Sequence, residues 1–395
     1  MLNDQQPKIV KPDEAVSKKW DIVTMPVTVN DIISIMENIA PSNLAENWDS
    51  VGLQVGDGCW NVERIRIALD PLPDVIEQSC HDNVDLVITH HPLLFRPLKS
   101  LNVSTPVGKI IQMALENKTA IFSAHTNLDS AKGGINDFLS EKLGLQNTKV
   151  LQEAKKDDKC KLVIFVPKQH QREVLTSLFA SGAGQIGNYD CCSFRSPGVG
   201  TFMPRKGAKP FLGKLEELNE VDETRIETIV TQKDLPKILE SVKRSHPYET
   251  PAYDVYPLMT PGFEGLGRVG DLESPMALKD FARYVKNALN LFYLKVSGDS
   301  ELRVEKVAVC SGSGAGLMKS FLASKAQCYV SGDLHYHDAR DTQAFSRGLL
   351  DVGHFASEHI MVHMLVQRLR MVMEEKKLGV LVDACGLEKD PFMII

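Results

Sequence analysis

The 395-residue sequence has no apolar run near the ~18 residues that a membrane-spanning helix needs, so a transmembrane role is not expected. Nor does it have a surplus of basic residues: 45 Lys and Arg stand against 51 Asp and Glu, a net charge of −6. That balance argues against a nucleic-acid binder that works mainly by neutralising phosphate. None of the eight cysteines forms a CxxC pair, and Cys191 and Cys192 are neighbours, with poor geometry for a bridge. Reduced thiols in a cytoplasmic compartment are expected. No P-loop is present, and the glycines of "CSGSGAG" (310–316) miss GxGxxG because position 317 is Leu. Residues 1–25 are polar, lack the apolar core of a secretory signal, and read as an arm. What is present is a globular composition, 43% hydrophobic and 24% charged, on a chain long enough for two or three lobes.

The first part of the chain alternates strand and helix patterns. "RIRIALD" (64–70), "VDLVITHH" (84–91) and "TAIFSAHT" (119–126) read as strands, separated by helical periodicity over 72–83 and 107–118 and followed by a helix over 133–145. The near-continuous apolar run of 84–91 is that of a parallel strand buried on both faces. The last part repeats the rhythm: strands at 304–314, 326–333 and 347–354, a helix after the glycine turn, and a long helix from about Phe355 to Glu375. Two similar α/β halves with parallel sheets are expected. Between them the pattern changes to strands at 159–168, 188–195, 198–204, 225–232 and 252–258 with helices at 170–182 and 235–245. That order predicts an inserted ferredoxin-like α+β unit. The expected division is an arm over 1–25, a discontinuous α/β domain over 26–155 and 262–395, and an insert over 156–261.

Chemistry gathers at strand ends, where open parallel sheets place their ligands. His90 and His91 end one predicted strand, and "AHTNLD" (124–129) supplies His125 and Asp129 at the end of the next. In the last part "GHFASEH" (353–359) supplies His354 and, four residues on and on the same helical face, Glu358. Imidazole nitrogens with carboxylate oxygens suit zinc, iron, manganese and similar divalent ions. Adjacent His90 and His91 point to opposite sides of an extended backbone, so each is placed to hold one of two neighbouring ions, with a carboxylate bridging. Taken singly, each stretch has a blander account: a surface His pair, a helix cap at Asn127 or Asp129, a solvated helix start. Their coincidence on matching strand ends favours a metal site. "CSGSGAG" is either an anion-holding turn or a plain strand-to-helix turn. His335 and His337 are candidates for substrate contact, and His359 and His363 for packing or an interface. "SHPYETPAYDVYPL" (245–258) reads as a turn into an edge strand.

"AENWDSVGLQVGD" (45–57), "ITHHPLLF" (88–95), "AHTNLD", "SGD" (331–333) and "GHFASEH" together resemble the Nif-three-like family, whose members are labelled GTP cyclohydrolase type-two homologues. The likeness runs from about Val27 to the C-terminus. The middle, with "GAGQIGNYDCCSF" (182–194) and "GVGTFMP" (198–204), is similar to the long bacterial form, which carries a PII/CutA-like insert. The resemblance implies two divalent ions per chain in an α/β fold and a ring-like homohexamer. It also implies His90, His91, Asp129, His354 and Glu358 as metal ligands, with His125 close to the metals; from histidine chemistry alone, His125, or else His335 or His337, is the candidate for a catalytic proton carrier. The expected activity is metal-dependent hydrolysis of a small substrate, nucleotide-like or phosphorylated. The alternative is a metal-binding, metal-delivery or regulatory interaction protein.

Overall fold

A computed structural model describes residues 26–154, 159–187, 189–258 and 264–394. The arm predicted over 1–25 and the domain boundaries near 155 and 261 lie outside the described residues. The chain builds a mixed α/β structure with three sheets. In the first sheet the strands Ala120–Ser123, Leu86–Thr89, Arg64–Ala68 and Leu381–Ala384 run parallel, with Gly52–Val55 antiparallel at the edge. "LVIT" and "AIFS" are buried at every position because helices cover both faces. Alternate side chains go opposite ways: Leu86 and Ile88 meet the helices Val29–Ile39 and Ile360–Glu375, whereas Val87 and Ile121 meet Pro73–His81 and Pro106–Glu116. The Val29–Ile39 helix starts on a capping box in which Thr28 and Asp31 satisfy each other's backbone N–H groups.

The second sheet has the spatial order Lys295–Ser297, Gly348–Asp351, Cys328–Gly332, Arg303–Ser313, Gly265–Ala277, Gln146–Glu153. The pairings among Gly348–Asp351, Cys328–Gly332 and Arg303–Ser313 are parallel; the other three pairings of the sheet are antiparallel. The repeated rhythm predicted a parallel sheet and missed these flanking strands. "QNTKVLQE" is a half-exposed edge with no apolar alternation to betray it. The helix read as continuous from Phe355 is two: His354–Glu358, entered through Gly353 at φ +84°, and Ile360–Glu375.

The third sheet is antiparallel, in the order Ser193–Phe202, Asn219–Thr231, Lys159–Pro167, Tyr253–Pro257. The helices Gln171–Ala180 and Leu235–Ser245 pack on one face around Leu162, Ile164, Val174, Ile226 and Ile238. The strands predicted at 188–195 and 198–204 are one strand, which passes through Pro197. Proline is tolerated there because this is the sheet edge, where a missing N–H leaves no ladder bond broken. Tyr253–Pro257 is the other edge, as the sequence indicated. No helix among the described residues is long and apolar enough to cross a membrane. All eight cysteines are free.

Candidate metal centre

His90 and His91 follow directly on the strand Leu86–Thr89. Their backbone N–H groups both donate to the Leu69 carbonyl, at 3.1 and 2.9 Å, which ties the doublet to the end of the neighbouring strand. His90 is fully buried and its Nδ1 faces the Ala124 carbonyl at 2.9 Å. His91 Nδ1 lies 2.7 Å from Asp70 Oδ1, in the turn after Arg64–Ala68. His354 Nδ1 lies 2.7 Å from Asp333 Oδ2, just past Cys328–Gly332. His125, which precedes the short helix Thr126–Ser130, sets its Nδ1 2.8 Å from Asp49 Oδ1. Each ring therefore has an oxygen at Nδ1. A proton placed there leaves the Nε2 lone pair free to point inward, the tautomer that a metal-binding imidazole needs.

The inward atoms converge on Glu358. His91 Nε2 and His354 Nε2 lie 3.0 and 2.9 Å from Oε2, and His90 Nε2 lies 3.5 Å from Oε1. The two nitrogens of His91 and His354 are themselves 3.4 Å apart. Asp129 Oδ2 stands 3.9 Å from His90 Nε2, while its Oδ1 accepts a 2.9 Å bond from the Ser311 hydroxyl. His90 Nε2 and Glu358 Oε2 are buried with no partner of hydrogen-bond geometry, the latter despite its two close nitrogens. Donor atoms of His90, His91 and His125 form one group of three within 4.8 Å, and those of His91, His354 and Glu358 a second. Buried lone pairs that face one another with no proton between them are costly unless a cation or a proton satisfies them. The residues present thus fit a divalent ion in both number and kind.

Protonation follows from the same geometry. Burial disfavours charge on His91, but Asp70 and Glu358 outweigh it and raise its pKa to about 10. At His354 the bond to Glu358 overcomes burial and lifts the pKa to about 9. His90 is also raised, burial being outweighed by Glu358 and Asp129. The same imidazoles overcome the burial of Glu358 and hold its pKa well below the ordinary carboxylate range. Asp129 is raised, chiefly by burial. Asp49 falls to about 2: burial opposes its charge, but His125 and Thr126 donate to it.

The structure brings His90, His91, His125, Asp129, His354 and Glu358 together. The group of three around His90 contains His125 and not Asp129, although Asp129 Oδ2 is 3.9 Å from His90 Nε2. "CSGSGAG" is a strand-to-helix turn, leading from Arg303–Ser313 into the 3-10 turn Ala315–Leu317 and the helix Met318–Ala323, and it also lines the site. Ser311 reaches Asp129, and Gly312 at φ +61° lies so close to Glu358 that an added Cβ would sit 1.9 Å from Oε1. His335 is exposed and caps the helix Tyr336–Ala344 through Asp338; exposed His337 lies on that helix, and neither joins the two groups. His359 stacks on Phe355, ring centres 4.6 Å apart.

Sequence reasoning missed Asp49, Asp70, Asp333 and Glu388. Asp70 and Asp333 had a signal, closing the predicted strands 64–70 and 326–333, where Nδ1 partners of ligating imidazoles belong, whereas Asp49 precedes Gly52–Val55, a strand the sequence did not predict. Glu388 had none: from the C-terminal tail its carboxylate accepts the N–H groups of Leu69 at 2.8 Å and Asp70 at 2.7 Å, fixing the turn that carries Asp70.

Fold and site together define a mixed α/β protein with a histidine–carboxylate cluster at the ends of strands from two sheets. The chain belongs to the Duf34/NIF3 (NGG1p interacting factor 3) family, whose pattern matches residues 27–391. A Bacillus subtilis protein named GTP cyclohydrolase 1 type 2 homolog is 39% identical over 370 residues, 93% of this chain and 99% of that protein. A crystal structure of a Bacillus cereus protein related to NIF3 is similar at 39% identity and TM-score 0.67, covering 93% of this chain and 99% of the other. Staphylococcus aureus protein SA1388 is similar at 28% identity and TM-score 0.74, with 94% and 99% covered.

Proposed function

We propose that this chain holds two divalent ions and hydrolyses a small nucleotide-like or phosphorylated substrate in the cytoplasm. The observation that carries the reading is the cluster of buried lone pairs around Glu358, with every ring Nδ1 already engaged. His91, His354 and Glu358 Oε2 would hold one ion; His90, Asp129 and Glu358 Oε1 the other. A bound ion of this kind lowers the pKa of its water from 15.7 towards ~7. His125 is placed to carry the proton. Asp49 holds its Nδ1, which leaves Nε2 to accept and return a proton beside the site. The curated relatives' name makes a guanine nucleotide the first substrate to try.

The reading extends to architecture. The first and second sheets are the halves of one metal-binding domain, and the third sheet with its two helices is a ferredoxin-like, PII/CutA-like insert over 156–261. A ring-like homohexamer is the proposed assembly, without direct nucleic-acid or membrane contact.

The test is metal per chain by elemental analysis on protein purified without added metal, then turnover of nucleotides and phosphoesters by wild type and His125→Ala. About two ions per chain, lost in Asp129→Ala, with turnover reduced but metal kept in His125→Ala, is the expected result. Metal that exchanges readily, with no turnover under zinc, iron or manganese, would make the chain a carrier or regulatory protein instead. No metal after reloading would end both readings.

A further inference from the structure

We propose that Trp48 and Phe95 form a stacking platform for a planar heteroaromatic ring of the substrate, a reading that rests on the metal-centre function above. Both side chains are large, apolar and open, at 56% and 47% exposure. They face each other as a tilted pair, centroids 5.6 Å apart at 44°. His125 stands edge-on to both, its ring 5.9 Å from Trp48 and 6.4 Å from Phe95. The same imidazole is 5.0 Å from the His90 ring and 5.5 Å from His91. A ring laid on the pair would therefore lie about one ring's width from the donor cluster.

These aromatics do not hang on loose loops. On one side of Trp48 the Glu46 N–H donates to Thr126 Oγ1 at 2.9 Å. On the other, Asp49 takes His125 Nδ1 at 2.8 Å and the Thr126 N–H at 3.0 Å. The groups that orient His125 thus also fix Trp48. Beside Phe95, the Leu94 N–H donates to Gln54 Oε1 at 3.1 Å, tying that loop to the same segment. Leaving a tryptophan and a phenylalanine exposed forgoes the burial that normally makes such side chains stabilising. Rigid, open aromatic faces are what base stacking uses. The occupant also needs a polar edge, because hydrocarbon laid here would cover His125 and the imidazole–carboxylate cluster without satisfying them. A heteroaromatic ring supplies both the face and the edge.

The experiment compares guanosine monophosphate with ribose 5-phosphate, which keeps the sugar and phosphate but lacks the ring. Each is titrated by calorimetry into zinc-loaded wild type, Trp48→Ala, Trp48→Phe and Phe95→Ala, with metal content read on the same samples. In wild type the nucleotide should bind at least about 10-fold more tightly than the sugar phosphate. That ratio should fall towards one in Trp48→Ala, recover in part in Trp48→Phe, and fall in Phe95→Ala. A ratio unchanged in both alanine variants, or a wild-type ratio near one, overturns the platform. If metal content is normal, only the platform has failed. If the ring preference depends on Trp48 in a chain that takes up no metal, the platform stands and the hydrolase reading falls. Both residues are exposed, so the variants are expected to fold.

Discussion

Gly312→Ala should weaken the proposed metal centre without removing a single donor. The added Cβ would lie 1.9 Å from Glu358 Oε1 and 2.8 Å from its Cδ, where real Cβ contacts essentially never fall below 3.0 Å. The carboxylate must retreat by about 1 Å, twice the ~0.5 Å tolerance of a preorganised site. The backbone is poorly placed to yield instead, because the Gly312 N–H donates at 2.9 Å to Ser357, the residue beside Glu358. Its φ of +61° also makes any L side chain unfavourable, by about 1–2 kcal/mol. We expect a modest loss of urea stability and a fall in zinc affinity of about 10–100-fold, the size seen when a ligand's support is removed. Calorimetric zinc titration and metal per chain after dialysis measure it. Gly316→Ala, with nothing within 4 Å of the new Cβ, is the matched control and should change neither. Wild-type metal content and affinity in Gly312→Ala would show that Glu358 is not a metal donor, and the cluster would need another account.

The raised histidines give a pH signature. The folded pKa values of His91 and His354, about 10 and about 9, exceed the ordinary ~6.5, so the stability they contribute to metal-free protein is complete below ~6.5 and lost as pH rises through 9 to 10. The urea midpoint gap between metal-loaded and metal-free protein should widen from pH 7 to 10; a constant gap would refute the protonation scheme. Asp49 has the opposite sign: its pKa is depressed to about 2, so its contribution is present above ~4 and lost as pH falls through about 2. Asp49→Asn should cost about 2 kcal/mol at pH 7 and nearly nothing at pH 2, read by urea unfolding, and an equal cost at both would sink the assignment. Glu388→Ala leaves the Leu69 and Asp70 N–H groups without their carboxylate and should cost about 1.5–3 kcal/mol while weakening zinc binding through Asp70. Unchanged stability and zinc affinity would mean that the tail does not brace the site.

Much of the site was legible because its chemistry is expensive anywhere else. A doublet such as His90–His91 at the end of a buried apolar strand demands partners, and Asp129, His354 and Glu358 sit at the corresponding ends of other strands. The elements around them were legible for a related reason: "LVIT" and "AIFS" are apolar at every position, which a strand covered on both faces requires. What stayed hidden lacks a local pattern. Gln146–Glu153 pairs through its backbone at a half-exposed edge, so its side chains carry no periodicity. Glu388 acts from 319 positions beyond Leu69 in the chain, a distance no window spans. Ser193–Phe202 was split in two because Pro197 reads as a break unless the strand is known to be an edge.

The placement of the donors has a mechanical consequence. His90 and His91 come from the first sheet, whereas His354 and Glu358 follow a strand of the second. Between them, Asn136 donates to the Asp129 carbonyl at 3.1 Å and accepts the Ser311 N–H at 2.9 Å, joining the two sheets through one side chain. Ser311 then reaches Asp129 from the second-sheet side. Neither sheet carries the whole cluster, so its geometry exists only when the two are docked. Any cation held there would bind the docked state alone and stabilise it by RT ln(1 + [L]/Kd), about 2.7 kcal/mol at 100-fold over Kd. The metal-free chain, by contrast, must keep protons on its imidazoles to offset the Glu358 charge, and those protons are what alkaline pH removes. Docking of the two sheets and the binding of any cation between them would thus be linked equilibria, and the histidine doublet is where the two would meet.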